Sequence, residues 1–214
     1  MNLEKIFKNK KIIVTGHTGF KGSWLTLWLT KLGANVLGIS KDIPTKPSHF
    51  DSLNLKKKIK HKQININNYN EIAKIFKEFQ PSFVFHLAAQ SLVSKSYEEP
   101  IETFNTNSIG TLNVLESLKQ IKKKCFVIFV TSDKVYKNVE KVKGYKEDDV
   151  LGGKDPYSGS KAAAENIINS FIHSYYNKPS SKILISIARA GNVIGGGDWS
   201  PNRIVPDCIK SWSK

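Results

Sequence analysis

A tyrosine and a lysine stand four residues apart in the segment Asp155-Pro156-Tyr157-Ser158-Gly159-Ser160-Lys161. Aspartate is favoured just before a helix and proline suits the first helical position, so this segment predicts a helix with Tyr157 and Lys161 on one face. A tyrosine that acts as a general base needs its pKa lowered from about 10 to near neutrality, which costs about 4 kcal/mol. One cation about 4 Å away at an intermediate dielectric supplies about that much. The pair therefore indicates proton transfer at a reacting oxygen, the alternative being an ordinary solvated helix face.

Three polar residues, Ser132, Asp133 and Lys134, directly follow the apolar run Phe126-Val-Ile-Phe-Val-Thr131. The run predicts a buried strand, and the helix that carries Tyr157 is the next one along the chain. Ser132 could hydrogen-bond the same reacting oxygen as Tyr157. Asp133 and Lys134 offer a further acid and base, the alternative being an exposed ion pair in a turn.

Glycines at positions 16, 19 and 22 separate the apolar run Lys11-Ile-Ile-Val-Thr15 from an apolar helical segment that opens at Trp24. A strand, a glycine turn and a helix form a phosphate site, because backbone N–H groups and the positive end of the helix dipole face the anion. The spacing is Gly-x-x-Gly-x-x-Gly instead of the commoner Gly-x-Gly-x-x-Gly, so the glycines alone are a weak signal. The strand before them and the helix after them favour a dinucleotide site.

Six apolar runs, each short enough for a strand, alternate with helical segments. We predict strands at 11–15, 35–40, 63–66, 83–87, 126–131 and 183–188, and helices at 24–32, 70–79, 101–118 and 155–176. The polar, basic segment 41–62 predicts mostly loop, with a short helical piece near Leu53. Strands that are apolar on both faces indicate a parallel sheet covered on both sides, hence a Rossmann-type doubly wound α/β fold. Ligands of such folds bind at the carboxyl ends of the strands, where the polar clusters lie.

The composition narrows the function classes. The 214 residues carry a formal net charge of +15, and the lysine runs lack interleaved aromatic residues, so a solvated basic surface is favoured over a nucleic-acid-binding one. Two cysteines, Cys125 and Cys208, are too few for a disulfide framework or a metal cluster. The apolar runs are too short for a signal peptide or a membrane span. We therefore expect a cytoplasmic protein with no metal, no membrane contact and no nucleic-acid partner.

Five motifs, in order along the chain, resemble those of the extended short-chain dehydrogenase/reductase family and its NAD-dependent epimerase/dehydratase group. More narrowly, they resemble the family of CDP-glucose 4,6-dehydratases. The motifs are Gly-His-Thr-Gly-Phe-Lys-Gly (16–22), His-Leu-Ala-Ala-Gln (86–90), Thr-Ser-Asp-Lys-Val-Tyr (131–136), Asp-Pro-Tyr-Ser-Gly-Ser-Lys (155–161) and Arg-Ala-Gly-Asn-Val-Ile-Gly-Gly-Gly-Asp-Trp (189–199). The resemblance implies a lyase of deoxysugar biosynthesis, for instance for lipopolysaccharide O-antigen. It also implies NAD as cofactor, CDP-glucose as substrate and a homodimer.

The resemblance also implies roles for individual residues. Tyr157 would take the proton of the sugar C4 hydroxyl, Asp133 would protonate the departing C6 hydroxyl and Lys134 would assist removal of the C5 proton. The implied catalytic residues are Ser132, Asp133, Lys134, Tyr157 and Lys161. The implied cofactor-binding residues are Gly16, Thr18, Gly19, Phe20, Lys21, Gly22, Ser40, Asp42, Leu87, Ala88, Ala89, Gln90, Tyr157 and Lys161. The implied substrate-binding residues are Asn192, Asp198, Trp199 and Arg203.

Several alternatives stay open. Ser40 at the end of the second strand lacks the carboxylate that repels the 2′-phosphate of NADP, and Lys41 adjoins it, although Asp42 could reach the ribose. We expect residues 1–190 to form the NAD-binding domain and residues 191–214 only the start of an incomplete substrate domain, since such dehydratases usually continue further. On that basis the 214-residue chain should bind NAD weakly without turning over substrate. The other readings are a different sugar-nucleotide dehydratase or epimerase, and a non-catalytic nucleotide-binding fragment.

Overall fold

Six parallel strands form one sheet in the computed structural model, which describes residues 2–213. The strands are β1 (Lys11–Thr15), β2 (Asn35–Ser40), β3 (Lys60–Gln63), β4 (Phe83–His86), β5 (Cys125–Val130) and β6 (Ile183–Ala188). Their order across the sheet is β3-β2-β1-β4-β5-β6, so the direction of winding reverses between β1 and β4. This order is that of a doubly wound Rossmann-type sheet, and the predicted fold class is confirmed.

Helices cover both faces of the sheet. They are α1 (Leu3–Phe7), α2 (Phe20–Lys31), α3 (His49–Ser52), α4 (Tyr69–Phe79), α5 (Val93–Glu98), α6 (Pro100–Phe104), α7 (Gly110–Ser117), α8 (Pro156–Phe171) and α9 (Ile204–Trp212). A π-helical turn, Asn105–Ile109, joins α6 to α7, and a second one, Ile172–Tyr176, continues α8. One strand shows why both faces are apolar: Ile13 belongs to the core under α4, α7 and α8, whereas Ile12 and Val14 belong to the core under α2.

The third strand is the clearest error of the sequence prediction. It was expected at 63–66, but β3 spans Lys60–Gln63 and so begins inside the segment predicted as loop. This strand lies at the edge of the sheet and pairs with β2 alone, Leu37 facing Lys60 in the register. An edge strand needs few apolar side chains, because its outer side is solvated, so pairing with β2 overrides the polar composition.

The helices that flank the cleft also differ in detail from the prediction. Helix α2 begins at Phe20, so the last glycine of the turn lies inside its first turn, and the predicted start at Trp24 is too late. The predicted helix 101–118 is divided by the π-helical turn, and α5 before it was not predicted. Helix α8 begins as predicted: the Asp155 side chain accepts a hydrogen bond from the Ser158 N–H at 3.0 Å. Across residues 2–213, none of the helices combines the length and the apolar character that crossing a bilayer would require.

Candidate active site

A cleft of about 420 Å³ lies at the carboxyl ends of β1, β2, β4 and β5. Its walls come from the glycine turn, the residues that follow these strands, the first turn of α8 and the segment 190–203. Of the site residues predicted from the sequence, those that line the cleft are Gly16, Thr18, Gly19, Phe20, Lys21, Gly22, Ser40, Asp42, Leu87, Ala88, Ala89, Gln90, Ser132, Asp133, Lys134, Tyr157, Asn192, Asp198 and Arg203. Lys161 lies buried behind the wall, and Trp199 is 42 % exposed outside it.

The glycine turn is shaped by two close backbone approaches. Gly16 has a φ of +73°, and a Cβ there would lie 2.7 Å from the backbone nitrogen of Ala88. A Cβ on Gly22 would lie 2.0 Å from the carbonyl oxygen of Gly16. Helix α2 starts from this turn, and Gly19 at its N-cap supplies no side-chain hydrogen bond to the first N–H groups. An uncapped helix N-terminus at the cleft wall suits a pyrophosphate, so these residues fit a dinucleotide.

The end of β2 is held by a chain of polar contacts. The Ser40 hydroxyl accepts a hydrogen bond from the Thr18 N–H at 3.3 Å and lies 3.0 Å from Nδ1 of His17. The other ring nitrogen of His17 lies 2.7 Å from Nδ1 of His61. Burial lowers the pKa of His17 to about 4, so this ring is neutral near pH 7. The Thr18 hydroxyl donates to the Asp42 carbonyl at 2.7 Å, which fixes the residues after the strand.

The pKa of the Tyr157 phenol is raised in the protein, whereas a general base needs a lowered one. Burial raises the pKa of Tyr157 above its ordinary value. A hydrogen bond with Ser132 and the cations of Arg203 and Lys134 oppose this shift without overcoming it. Desolvation of the phenolate outweighs the neighbouring cations, so the lowered pKa that a general base needs stays a prediction, which depends on Lys161 together with an oxidised nicotinamide. The protein alone holds Tyr157 as a neutral phenol.

Of the two groups, Lys161 is the one whose pKa is lowered. Its amino group is buried, and burial together with the nearby cation of Lys21 lowers its pKa to about 8, while Glu165 acts in the opposite direction. The two groups are one helical turn apart on α8, and we call them the Tyr157–Lys161 couple. The first proton that the Tyr157–Lys161 couple loses therefore leaves near pH 8.

Asp133 and Lys134 form an ion pair inside the cleft, with Lys134 Nζ 3.0 Å from Asp133 Oδ2. The Ser132 hydroxyl donates to the other oxygen of Asp133 at 3.2 Å and accepts a bond from the Lys134 N–H at 3.2 Å. The backbone N–H of Asp133 donates to the Ala190 carbonyl at 3.1 Å, which ties this turn to the end of β6. The sequence expectation that these groups lie together with Tyr157 at one cleft is met by this arrangement.

Two of the cations that line the cleft are Lys21 and Arg203. Lys21, from the glycine turn, has its pKa lowered by burial and by Arg203, while Asp133 opposes this shift. Arg203 Nε lies 3.8 Å from Asp198 Oδ2, just before α9 begins. A wall with two such cations suits an anionic ligand, and an arginine fork can bind a diphosphate through two parallel hydrogen bonds. Within residues 2–213, no cluster of three or more histidine, cysteine or acidic side chains is placed to hold a metal.

Two polar contacts around the cleft were missed by the sequence analysis. Asn107, in the π-helical turn, bonds both backbone groups of Gln90, accepting from its N–H at 2.8 Å and donating to its carbonyl at 3.0 Å. It also donates to the Ser160 hydroxyl at 2.9 Å, which joins α8 to the loop after β4. At the cleft mouth Lys41 pairs with Glu102 at 3.0 Å. No sequence motif marks these residues, because each lies far along the chain from its partner.

Comparison with known proteins identifies the family. The sequence profile of the GDP-mannose 4,6 dehydratase family matches residues 13–188, most of the chain. The chain belongs to this family. One curated relative of this chain is the CDP-glucose 4,6-dehydratase of Salmonella typhimurium, which is 45% identical over 98% of this chain. The narrower resemblance predicted from the five motifs is confirmed by this relative.

Solved structures share the fold of this GDP-mannose 4,6 dehydratase family member. The UDP-glucose 4-epimerase of Thermotoga maritima with UDP-glucose is 27% identical, covers 92% of this chain and superposes with a TM-score of 0.79. The UDP-glucose 4-epimerase of Thermus thermophilus in complex with NAD is 28% identical over 86% of this chain, with a TM-score of 0.73. The chain spans 59% of the Salmonella protein, 61% of the Thermotoga chain and 56% of the Thermus chain.

Proposed function

We propose that the protein catalyses the NAD-dependent 4,6-dehydration of a nucleotide-activated glucose, converting CDP-glucose to CDP-4-keto-6-deoxyglucose and water. The observation that carries the proposal is the meeting of two proton-transfer pairs in one cleft. Tyr157 with Ser132 forms one pair, and Asp133 with Lys134 forms the other. An oxidation at one sugar carbon needs the first pair, and an elimination needs the second.

The cofactor assignment rests on the glycine turn and on the charges at the cleft mouth. The uncapped start of α2 fits the pyrophosphate of a dinucleotide. Lys41 is paired with Glu102 and so is not a free cation for the 2′-phosphate of NADP, which supports NAD. A solved relative, the Thermus thermophilus epimerase, was obtained in complex with NAD. When bound, NAD supplies a nicotinamide ring that takes the C4 hydrogen as hydride and later returns it to C6.

In the first step Tyr157 takes the proton of the C4 hydroxyl while C4 becomes a ketone. Ser132 lies beside the phenol and can donate a hydrogen bond to the same sugar oxygen. The phenolate oxygen of Tyr157 accepts the proton of the C4 hydroxyl. The positive charge of Lys161, one helical turn away, favours this phenolate. When both Tyr157 and Lys161 are protonated, Tyr157 is a neutral phenol. Its basic form, the phenolate, arises only when the couple loses one proton.

In the second step the ketone acidifies the C5 proton, and the C6 hydroxyl leaves as water. Lys134 Nζ donates a hydrogen bond to Asp133 Oδ2 across 3.0 Å. If that proton moves from the ammonium to the carboxylate, the pair becomes a neutral acid and a neutral amine base. A sugar that covers the pair excludes water and favours this neutral form, because a low dielectric penalises separate charges. Lys134 then removes the C5 proton, and Asp133 protonates the departing C6 oxygen.

The substrate assignment and the assembly rest on separate observations. Residues from 191 onward contribute Asn192, Asp198 and Arg203 to the cleft, so we assign them to the sugar-nucleotide-binding part of the protein. The cytidine base is supported by the Salmonella relative, a CDP-glucose 4,6-dehydratase. A homodimer is supported by apolar side chains on the surface of α5 and α6, among them Tyr97 and Ile101, which are 65% and 76% exposed.

The test is an isotope-transfer assay on the purified full-length protein with NAD and CDP-glucose, dTDP-glucose or UDP-glucose. Substrate labelled with deuterium at C4 should yield a 4-keto-6-deoxy product that carries the label at C6, detected by NMR. The Tyr157→Phe variant should bind NAD as the parent does and form no product. Absence of this product with all three nucleotides would refute the proposed function.

A second candidate is epimerisation at C4, which the similarity to the Thermotoga maritima UDP-glucose 4-epimerase supports. That reaction also needs a Tyr–Lys couple but no acid and base for elimination. The Asp133–Lys134 pair in the cleft therefore favours dehydration. The same assay separates the two, since an epimerase keeps the C6 hydroxyl and returns the label to C4.

A further inference from the structure

Glu165 is a fully buried carboxylate on α8, one helical turn beyond Lys161 and two beyond Tyr157. It does not line the cleft. One of its oxygens accepts a hydrogen bond from the Thr131 hydroxyl at 2.5 Å and a second from Arg189 Nε at 3.0 Å. The other oxygen accepts from Arg189 Nε at 3.0 Å and from Arg189 Nη2 at 2.7 Å.

The partners of Glu165 come from two different walls of the active site. Thr131 directly follows β5 and precedes Ser132, so its bond to Glu165 ties the serine to the helix that carries Tyr157. Arg189 follows β6 and precedes the cleft-lining residues that begin at Ala190. Arg189 is itself anchored on its far side, where Nη1 donates to the Glu147 carbonyl at 3.0 Å.

The charges explain why a carboxylate belongs at this position. A buried ion pair contributes little to stability compared with apolar packing, so the pair of Glu165 and Arg189 calls for another reason. Lys161 is a second buried cation on the same helix face, and burial opposes its protonation. Glu165 is the negative group that acts on it, one turn away.

We propose that Glu165 is a positioning residue of the active site, which holds Ser132 and Tyr157 at a fixed separation and keeps Lys161 protonated. This role rests on the proposed function for its catalytic meaning. The effect on Lys161, however, can be measured on the protein without cofactor or substrate, so the two proposals can fail separately.

The first test titrates the Lys161 side chain by NMR in protein labelled with ¹³C-lysine, its signal assigned by comparison with Lys161→Met. Glu165→Gln keeps the shape and one of the two accepting oxygens, but it removes the charge and replaces the other oxygen with an NH2 group. The midpoint should fall from about 8 by about one pH unit, since one nearby opposite charge is worth that much or more. Glu165→Asp, which keeps the charge, should leave the midpoint near 8. The control Glu116→Gln alters an exposed pair with Lys119 and should also leave it unchanged.

The second test follows the first turnover of sugar nucleotide as a function of pH. With less charge on Lys161, the rate of Glu165→Gln should level off at a lower pH and at a plateau about tenfold below the parent. The two rates should coincide at acid pH, where Lys161 is protonated in both proteins. A residue that only stabilises the fold would lower the rate by one factor at every pH.

A second variant, expected to shift the Lys161 midpoint in the opposite direction, is used in case Glu165→Gln does not fold. Arg189→Met leaves Glu165 with less neutralisation, so the Lys161 midpoint should rise above 8. A midpoint that stays near 8 in every folded variant overturns the role of Glu165 in charging Lys161. A Thr131→Val variant with the first-turnover rate of the parent overturns its role in fixing Ser132.

Discussion

The pH dependence of the first chemical step follows from the way Tyr157 and Lys161 divide their protons. Burial raises the pKa of the phenol, whereas Lys161 titrates near 8. The reactive form needs a phenolate beside an ammonium group, which is a minor but constant fraction of the couple with one proton removed. Below pH 8 this form is scarce and increases tenfold for each pH unit. Above pH 8 nearly every couple has lost one proton, so the rate of C4 oxidation should level off.

The size of the effect can be worked out from the Lys161 pKa of about 8. About one couple in eleven has lost a proton at pH 7, and about ten in eleven have at pH 9. The oxidation rate should therefore rise about tenfold between pH 7 and pH 9 and change little above that. The decisive perturbation is Lys161→Met, which leaves Tyr157 to titrate alone above its ordinary value. In that variant the rate should keep rising through pH 9, and at pH 7 it should be about 100- to 10,000-fold below the parent.

The assay is a stopped-flow measurement of reduced nicotinamide in the first turnover with saturating CDP-glucose. A control titration of NAD binding over the same pH range separates chemistry from cofactor affinity. The reasoning fails if the parent shows no levelling near pH 8, or if Lys161→Met levels at the same pH as the parent. Either result would mean that another group controls the proton that leaves Tyr157.

Three further predictions concern other parts of the cleft. Gly22→Ala places a Cβ 2.0 Å from a carbonyl oxygen of the turn, which should destabilise the fold by about 1–3 kcal/mol and lower the melting temperature. The control Gly144→Ala, whose Cβ has no atom within 4 Å, should leave the melting temperature unchanged, and equal melting curves for the two variants would contradict the prediction. Glu102→Gln releases Lys41 and should raise affinity for NADP relative to NAD by about two- to fivefold in calorimetric titrations, and an unchanged ratio contradicts it. Asp133→Asn should let reduced cofactor accumulate while product formation falls about 100-fold or more, and parallel loss of both steps argues against separate roles.

Most of the sheet could be predicted from the sequence, because its strands are buried and their apolar runs are unambiguous. Strands β1 and β2 have the predicted bounds, and β4, β5 and β6 agree within one residue. β3 could not be predicted in the same way, since an edge strand of Lys-His-Lys-Gln carries no apolar signal and takes its register from β2. The early start of α2 also depends on a tertiary contact. Gly22, in the first turn of α2, packs against the backbone of Gly16, and this contact favours a helix although glycine itself disfavours one.

The candidate site was predictable in its membership and not in its charge states. Motif spacing placed Tyr157, Ser132 and Asp133 after the right strands, and parallel topology then requires them to meet at one edge. The pKa of a group depends on how deeply it is buried, and burial is a property of the assembled fold. For this reason the sequence could not give the raised pKa of Tyr157 or the lowered pKa of Lys161.

The position of Glu165 shows where sequence reasoning stops. Residues 157, 161 and 165 are spaced by four, so their common helix face could be read directly from the chain. A glutamate on that face would ordinarily be taken for a solvated residue, since carboxylates are seldom fully buried without a partner. Its partners, Thr131 and Arg189, lie 34 and 24 residues away and reach it only because β5 and β6 are neighbours in the sheet. Because of this strand order, Glu165 contacts the residue before Ser132 and the residue after β6, and it lies one helical turn from Lys161.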